Sequence, residues 1–220
     1  MRRTYIYSLM VCLLIPSIAM AEVTPHDVAK QVEAFYKDKG DIRARFLQKV
    51  KKPGRRRQLT KSGSVFFKRP GMMRWDYRRP ERVFYISDGK VLWSYQPEDA
   101  LVTRLDIHAS ELYHQSRYLF GQGDISKDFN LSEGKGTTKA LYALELKARK
   151  SSRDFKAITL FVDRASGEIR RTQLVDPYDN SSVIEFTKVS YKSLDKTPFT
   201  FKPPANVTVR NLSKKDSSQP

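Results

Sequence analysis

Gly63-Ser-Val-Phe-Phe-Lys-Arg-Pro-Gly-Met-Met-Arg-Trp-Asp-Tyr77 is the stretch on which the fold turns. Side chains alternate across a strand, so Val65, Phe67 and Arg69 share one face of a first strand, and Met73, Trp75 and Tyr77 share one face of the next. Pro70-Gly71 between them permits a turn. With both rows on one side, the pair is a hairpin with an aromatic face and an arginine at the end of the row. An arginine pointing toward apolar neighbours is costly unless its donors reach carbonyls or a carboxylate. Two readings follow. Arg69 hydrogen-bonds to backbone carbonyls of a helical lid and latches it over a cavity, or it is a rim arginine in an ordinary surface pair. Phe67, Met73 and Trp75 likewise either wall a hollow or fill a core, and periodicity is the same for both.

Working outward, stretches rich in aromatic and β-branched residues at 82–87 and 91–95 are joined by Asp88-Gly89 as a tight hairpin turn. Strands are expected again at about 128–132, 140–148, 155–162, 168–175 and 181–191, with turns at Ser166-Gly167 and Asp179-Asn180. The last apolar pieces are Phe199 to Lys202 and Val207 to Val209. From Asp106 to Phe120 the pattern of Ile107, Leu112, Tyr113, Tyr118 and Leu119 suggests one or two short helices, broken by Gly121-Gln-Gly123. Upstream, Ile42, Ala44, Phe46 and Val50 mark a half-buried strand over 41–50. Thr24-Pro25 caps a preceding amphipathic helix carrying Val28, Val32, Phe35 and Tyr36 to about Asp38. Lys51 to Ser62, with Pro53, Gly54 and Arg55 to Arg57, reads as a solvated loop. About ten strands and few helices predict a mainly β (α+β) domain over 22–212, built as a barrel, a sandwich or one strongly curved sheet.

Arg2 and Arg3 precede an apolar stretch from Tyr5 to Ile18 ending in Ala19-Met20-Ala21, the form of a cleaved signal peptide over 1–21. The stretch is shorter than the ~20 residues of a spanning helix. Cys12, the single cysteine, lies inside it, so the mature chain is expected to hold no disulfide and no thiolate metal site. Removing Arg2 and Arg3 takes the formal charge from +17 to +15, attractive to anionic surfaces. Residues 213–220 read as a disordered tail.

Enzyme signatures are missing: no mature cysteine, no G-x-S-x-G, no H-E-x-x-H, no glycine-rich phosphate loop. His108 and His114, six apart, do not share a helical face and suggest neither a metal pair nor a triad base. No catalysis, metal or cofactor is expected.

Three blocks, Gly63 to Tyr77, Ile86-Ser-Asp-Gly-Lys-Val-Leu-Trp-Ser-Tyr95 and Phe199-Thr-Phe-Lys-Pro-Pro-Ala-Asn-Val-Thr-Val209, resemble in their order the periplasmic lipoprotein carrier family called LolA. The first strand, with Ala44, Phe46 and Gln48, is also similar. The resemblance implies an unclosed antiparallel β-barrel with a helical lid over an apolar cavity. It implies a periplasmic carrier that takes acyl chains of lipoproteins from an inner-membrane ABC-type releasing complex to an outer-membrane receptor. The family's functional arginine, in its Lys-Arg-Pro motif, matches Arg69, and its cavity aromatic matches Trp75; Met73 stands where the family often has phenylalanine. The expected acyl-chain cavity is lined by Phe46, Val65, Phe67, Met73, Trp75, Tyr77 and Trp93, with Arg69 as the latch of the lid, in a monomer. The basic loop Lys51 to Arg57 and Arg78, Arg79 and Arg82 depart from the family pattern. The alternatives are a carrier of another lipid on the same scaffold and, ranked lower, a basic polyanion binder, for which no nucleic-acid motif is present.

Overall fold

A computed structural model of the protein describes residues 23–120, 123–149 and 155–212. The expected signal peptide over 1–21, the expected break at residues 121–122 and the expected tail over 213–220 lie outside the described residues.

The chain opens with helix α1 (Pro25–Lys37), followed by strands β1 (Ile42–Lys51), β2 (Leu59–Lys68), β3 (Met72–Arg79), β4 (Val83–Ser87), β5 (Val91–Gln96) and β6 (Leu101–Asp106). A helical passage comes next: a 3₁₀ turn at Ile107–Ala109, α2 (Glu111–Ser116), a second 3₁₀ turn at Arg117–Phe120 and α3 (Ile125–Asp128). Strands β7 (Phe129–Glu133), β8 (Leu141–Ala148), β9 (Ala157–Asp163), β10 (Ile169–Val175) and β11 (Ser181–Ser190) complete the meander, and β12 (Thr208–Asn211) ends it. All twelve strands form one sheet in the order β12-β6-β5-β4-β3-β2-β1-β11-β10-β9-β8-β7. Every pairing is antiparallel except β12 with β6. The two edge strands, β12 and β7, do not pair, so the sheet is unclosed.

Alternation on β1 decides which face is inside: Ile42, Ala44, Phe46 and Gln48 are buried while Arg43, Arg45, Leu47 and Lys49 are exposed. The inner face continues through Val65 and Phe67, then Met73, Trp75 and Tyr77, and across to Ile184, Leu174, Leu160 and Leu144 on the far strands. One apolar cluster therefore spans the concave side of the sheet and takes in α1, α2 and α3. Gly63 makes the bend possible. A Cβ there would stand 2.0 Å from the Asp76 carbonyl oxygen and 2.9 Å from the Phe46 ring. The β2–β3 register also shifts between Ser62 and Gly63, the local bulge that sharpens curvature.

Helix α1 starts on a reciprocal cap: Asp27 N donates to Thr24 Oγ1 at 3.2 Å and Thr24 N donates to Asp27 Oδ2 at 3.1 Å. It buries Val28, Ala29, Val32 and Tyr36 on the concave side. Its polar anchors reach the β9–β10 turn and α3: Gln31 Nε2 donates to Arg164 O, Ile169 N donates to the Tyr36 hydroxyl, and Ile125 N donates to Glu33 Oε1. Gly167 lets the turn come this close, since a Cβ there would lie 2.7 Å from the Gln31 carbonyl oxygen and its φ is +82°.

The described residues form twelve strands rather than about ten. The additional ones are β6 and β12, and the expected loop from Lys51 shortens because β2 already begins at Leu59, paired with Val50. α3 is a further helical turn that the periodicity of 106–120 did not indicate.

Candidate functional site

Six of the expected cavity residues meet in the interior. Val65, Phe67, Met73 and Trp75 are at most 1% exposed, and Phe46 and Tyr77 are buried beside them. Trp75 is the centre: its ring meets Phe46 edge-on at 4.9 Å and Phe67 edge-on at 5.7 Å, and stacks with Tyr77 at 6.4 Å. Such edge-on pairs add to area burial and hold aromatic clusters in place. The interior is thus closed by the protein's own rings. Two polar atoms within this dry region, Trp75 Nε1 and Thr172 Oγ1, have no hydrogen-bond partner among the described residues.

Trp93 is not one of the group. Its pairing partners are Ile86 and Arg104, and Leu92 takes the inward position beside it. Trp93 lies half-buried on the convex face, where Phe201 approaches its ring to 5.8 Å and the Arg104 guanidinium to 5.7 Å. The segment around Thr197–Phe201 is strapped over that face, with Arg74 Nη1 donating to Pro198 O at 3.1 Å and Phe199 fully buried. The Ile86 to Tyr95 block therefore serves both faces, and alternation sends Trp93 outward once Leu92 is inside.

Arg69 stands just beyond the end of β2, at the rim and exposed rather than pointing into the interior. Its Nη1 donates to the Lys37 carbonyl at 2.8 Å and its Nη2 donates to the Tyr36 carbonyl. These are carbonyls of the last turn of α1, which have no partner within the helix and carry the negative end of its dipole. A cation placed there grips the end of the helix across 32 and 33 residues of sequence. Beside it is a cavity of about 260 Å³ lined by Val32 and Glu33 of α1, Arg69, Tyr118 and Ile125 of α3.

The same end of α1 is fastened by phenols. Burial pushes the Tyr36 hydroxyl well above the ordinary tyrosine range. Burial, then Tyr36 and Glu168, push Tyr191 up as well, and Tyr191 donates to Glu168 Oε1 at 2.7 Å. Phe35 meets both rings edge-on.

At the opposite end of the sheet a cleft of about 400 Å³ opens between the β1–β2 hairpin, the β3–β4 turn, the β10–β11 turn and α2. Its walls include Val50, Leu59, Val83, Tyr85, Leu112 and Leu174. Its floor is polar and satisfied: the Tyr77 hydroxyl donates to Gln48 Oε1 at 2.8 Å and Gln48 Nε2 donates to Ser182 Oγ at 2.8 Å. Tyr77 belongs to both places, since its ring meets Phe46 at 4.8 Å. The cleft is thus the outer vestibule of the aromatic cluster. Gln48 and Ser182 were not expected there; the small polar interruption at Gln48 in an otherwise apolar row of β1 was the available signal.

Among the described residues no group of three or more His, Cys, Asp or Glu could hold a metal ion, and no helix is long and apolar enough to cross a membrane. The His114 ring nitrogen lies 3.0 Å from the His108 carbonyl oxygen.

The family described as outer membrane lipoprotein carrier protein LolA matches residues 40–202, from the start of the curved sheet to the strap. This chain belongs to the LolA family. A LolA relative from Chromobacterium violaceum, an outer-membrane lipoprotein carrier protein, is 31% identical over 181 residues, 81% of this chain and 85% of its own length. Another of that description, from Nitrosomonas europaea, is 29% identical over 213 residues, 94% of this chain and 98% of its own length. Among solved structures, an uncharacterized conserved protein from Thermus thermophilus superposes with a TM-score of 0.53 at 12% identity, covering 85% of this chain and 98% of that one. That likeness concerns the fold alone, and the LolA assignment rests on the sequence.

Proposed function

We propose that this LolA-family protein carries the acyl chains of lipoproteins through the periplasm, between its curved sheet and helical cover. Chains are taken from an inner-membrane ABC-type lipoprotein-releasing complex and delivered to an outer-membrane receptor. The supporting observation is the placement of Arg69: it holds the end of α1 over an apolar concave face lined with aromatic rings.

The energetics suit a carrier. Each buried methylene is worth about 0.8 kcal/mol, so ten are worth about 8 kcal/mol. Hydrogen bonds from a charged donor are worth on the order of 1.5–3 kcal/mol, less at an exposed rim. Cargo therefore outweighs the latch, and the cover stays down without it. Phe46, Phe67 and Trp75 close the space in the empty protein, and Met73, unbranched and flexible, adapts to irregular chains. Transfer needs only a next site that binds more tightly.

Native mass spectrometry of the protein isolated from its own periplasm tests the reading. A bound triacylated polypeptide is expected; free lipid alone overturns the lipoprotein assignment in favour of a carrier of another lipid.

A further inference from the structure

The mouth of the vestibule has a second character that acyl-chain carriage does not require. The β1–β2 hairpin carries five cations between Lys51 and Arg57, and the neighbouring β3–β4 turn carries Arg78, Arg79 and Arg82, against the single carboxylate Glu81. The two turns are adjacent because Ser62 pairs with Arg79. All eight cations are exposed, and none forms an ion pair with a described carboxylate.

Two apolar side chains project from the same end. Leu59, at the base of the hairpin and on the wall of the cleft, is 47% exposed, and Tyr178, in the β10–β11 turn, is 80% exposed. The carboxylates of that turn are already engaged: Asp176 accepts from the amides of Tyr178 and Asn180, and Asp179 pairs with Lys156 at 2.7 Å. The patch is bounded on its other side by Glu98 and Asp99 in the β5–β6 turn. Unpaired cations around a protruding tyrosine and leucine are the composition of a surface that rests on anionic headgroups, with the apolar tips at headgroup depth. An acidic protein patch would match the charges as well, and binding to polyglutamate with none to vesicles is the outcome that would select it.

We infer that this end is a bilayer-docking face, which sets the mouth of the vestibule against an anionic lipid surface. Contact is peripheral and reversible, because the attraction is long-range, screened by salt, and assisted by only two shallow apolar anchors.

The test is sedimentation of the full chain with vesicles of equal parts phosphatidylglycerol and phosphatidylcholine, against vesicles of phosphatidylcholine alone. Binding is expected only to the anionic vesicles, and it should weaken at least tenfold as salt rises from about 0.05 to 0.5 M. Arg55→Glu, Arg56→Glu and Arg57→Glu together should weaken it at least tenfold, and Tyr178→Ser severalfold. A control reversal of Lys135, Lys139 and Lys192, exposed at the opposite end of the sheet, should change it less than twofold. Because Arg55 to Arg57 do not line the cleft, uptake of a fluorescent apolar probe in solution should be unchanged in the triple variant, which separates docking from carriage. Absence of binding to anionic vesicles, equal losses in both triple variants, or binding to polyglutamate with none to vesicles would each overturn the docking face.

Discussion

Arg69 Nη1 lies 2.8 Å from the carbonyl oxygen of Lys37, so a side chain at the end of β2 completes the last turn of α1. The partner is backbone, and a substitution at Lys37 therefore leaves the contact in place while one at Arg69 abolishes it. Arg69→Leu is expected to fold and to take up a fluorescent apolar probe with affinity equal to or above wild type, while transfer of bound lipoprotein to acceptor membranes slows at least tenfold. Wild-type transfer rates in this variant would refute the latch. Arg69→Lys, which keeps the charge and loses the planar fork, should fall between the two.

Gly63 is predicted to be irreplaceable for the curvature. Alanine would place a methyl carbon 2.0 Å from the Asp76 carbonyl oxygen, so strands β2 and β3 must shift apart. Gly63→Ala should lower the free energy of unfolding by about 2–3 kcal/mol, read from the urea midpoint at unchanged slope. A loss below about 0.5 kcal/mol would mean the bend is more compliant than the packing implies.

Trp75→Ala removes the hub of the aromatic cluster and should cost about 3–5 kcal/mol in stability, with weaker binding of the apolar probe. Trp75→Phe keeps a ring and deletes an N–H that has no partner among the described residues, so it should cost less than half as much. Equal losses in the two variants would show that the indole makes a polar contact.

Trp93→Ala is expected to leave probe binding unchanged, because the side chain packs outward against Phe201 and Arg104. It should lower stability by about 1–3 kcal/mol through the loosened strap. Loss of probe binding with stability intact would return Trp93 to the interior.

Alkaline pH should loosen α1. Tyr36 and Tyr191 have raised values in the folded protein, through burial first. The stability they contribute is therefore fully present below the unfolded tyrosine value of about 10 and is lost as pH rises above it. The urea midpoint should fall between about pH 9 and pH 11, and Tyr36→Phe should fall less over that interval. A midpoint that stays level to about pH 11 in the wild type would contradict the assignment.

Much of this architecture was legible because its signals are local. The hairpin from Gly63 to Tyr77 declared its inner face through the alternation of Val65, Phe67, Met73, Trp75 and Tyr77, and Thr24-Pro25 announced the start of α1. What escaped depends on distant partners. Leu59 to Ser62, polar after its first residue, reads as loop, and it is a strand because β1 pairs with it. β6 offers only Leu101, Val102 and Leu105 amid polar residues, and it is held by β5 and β12 on its two sides. Trp93 misled because β5 is apolar on both faces, the outer one covered by residues more than a hundred positions away. The latch could be suspected from an arginine ending an aromatic row, while the identity of its acceptors required the fold.

The protein contains two tryptophans, and the sheet divides them. One indole sits in a dry, ring-lined enclosure; the other is half in water beneath a peptide strap, on the far side of the same strands. Their emission colours should differ accordingly, and each can be read alone in a single-indole variant. The molecule thus carries its own pair of optical gauges, one for what enters it and one for how its outer surface responds.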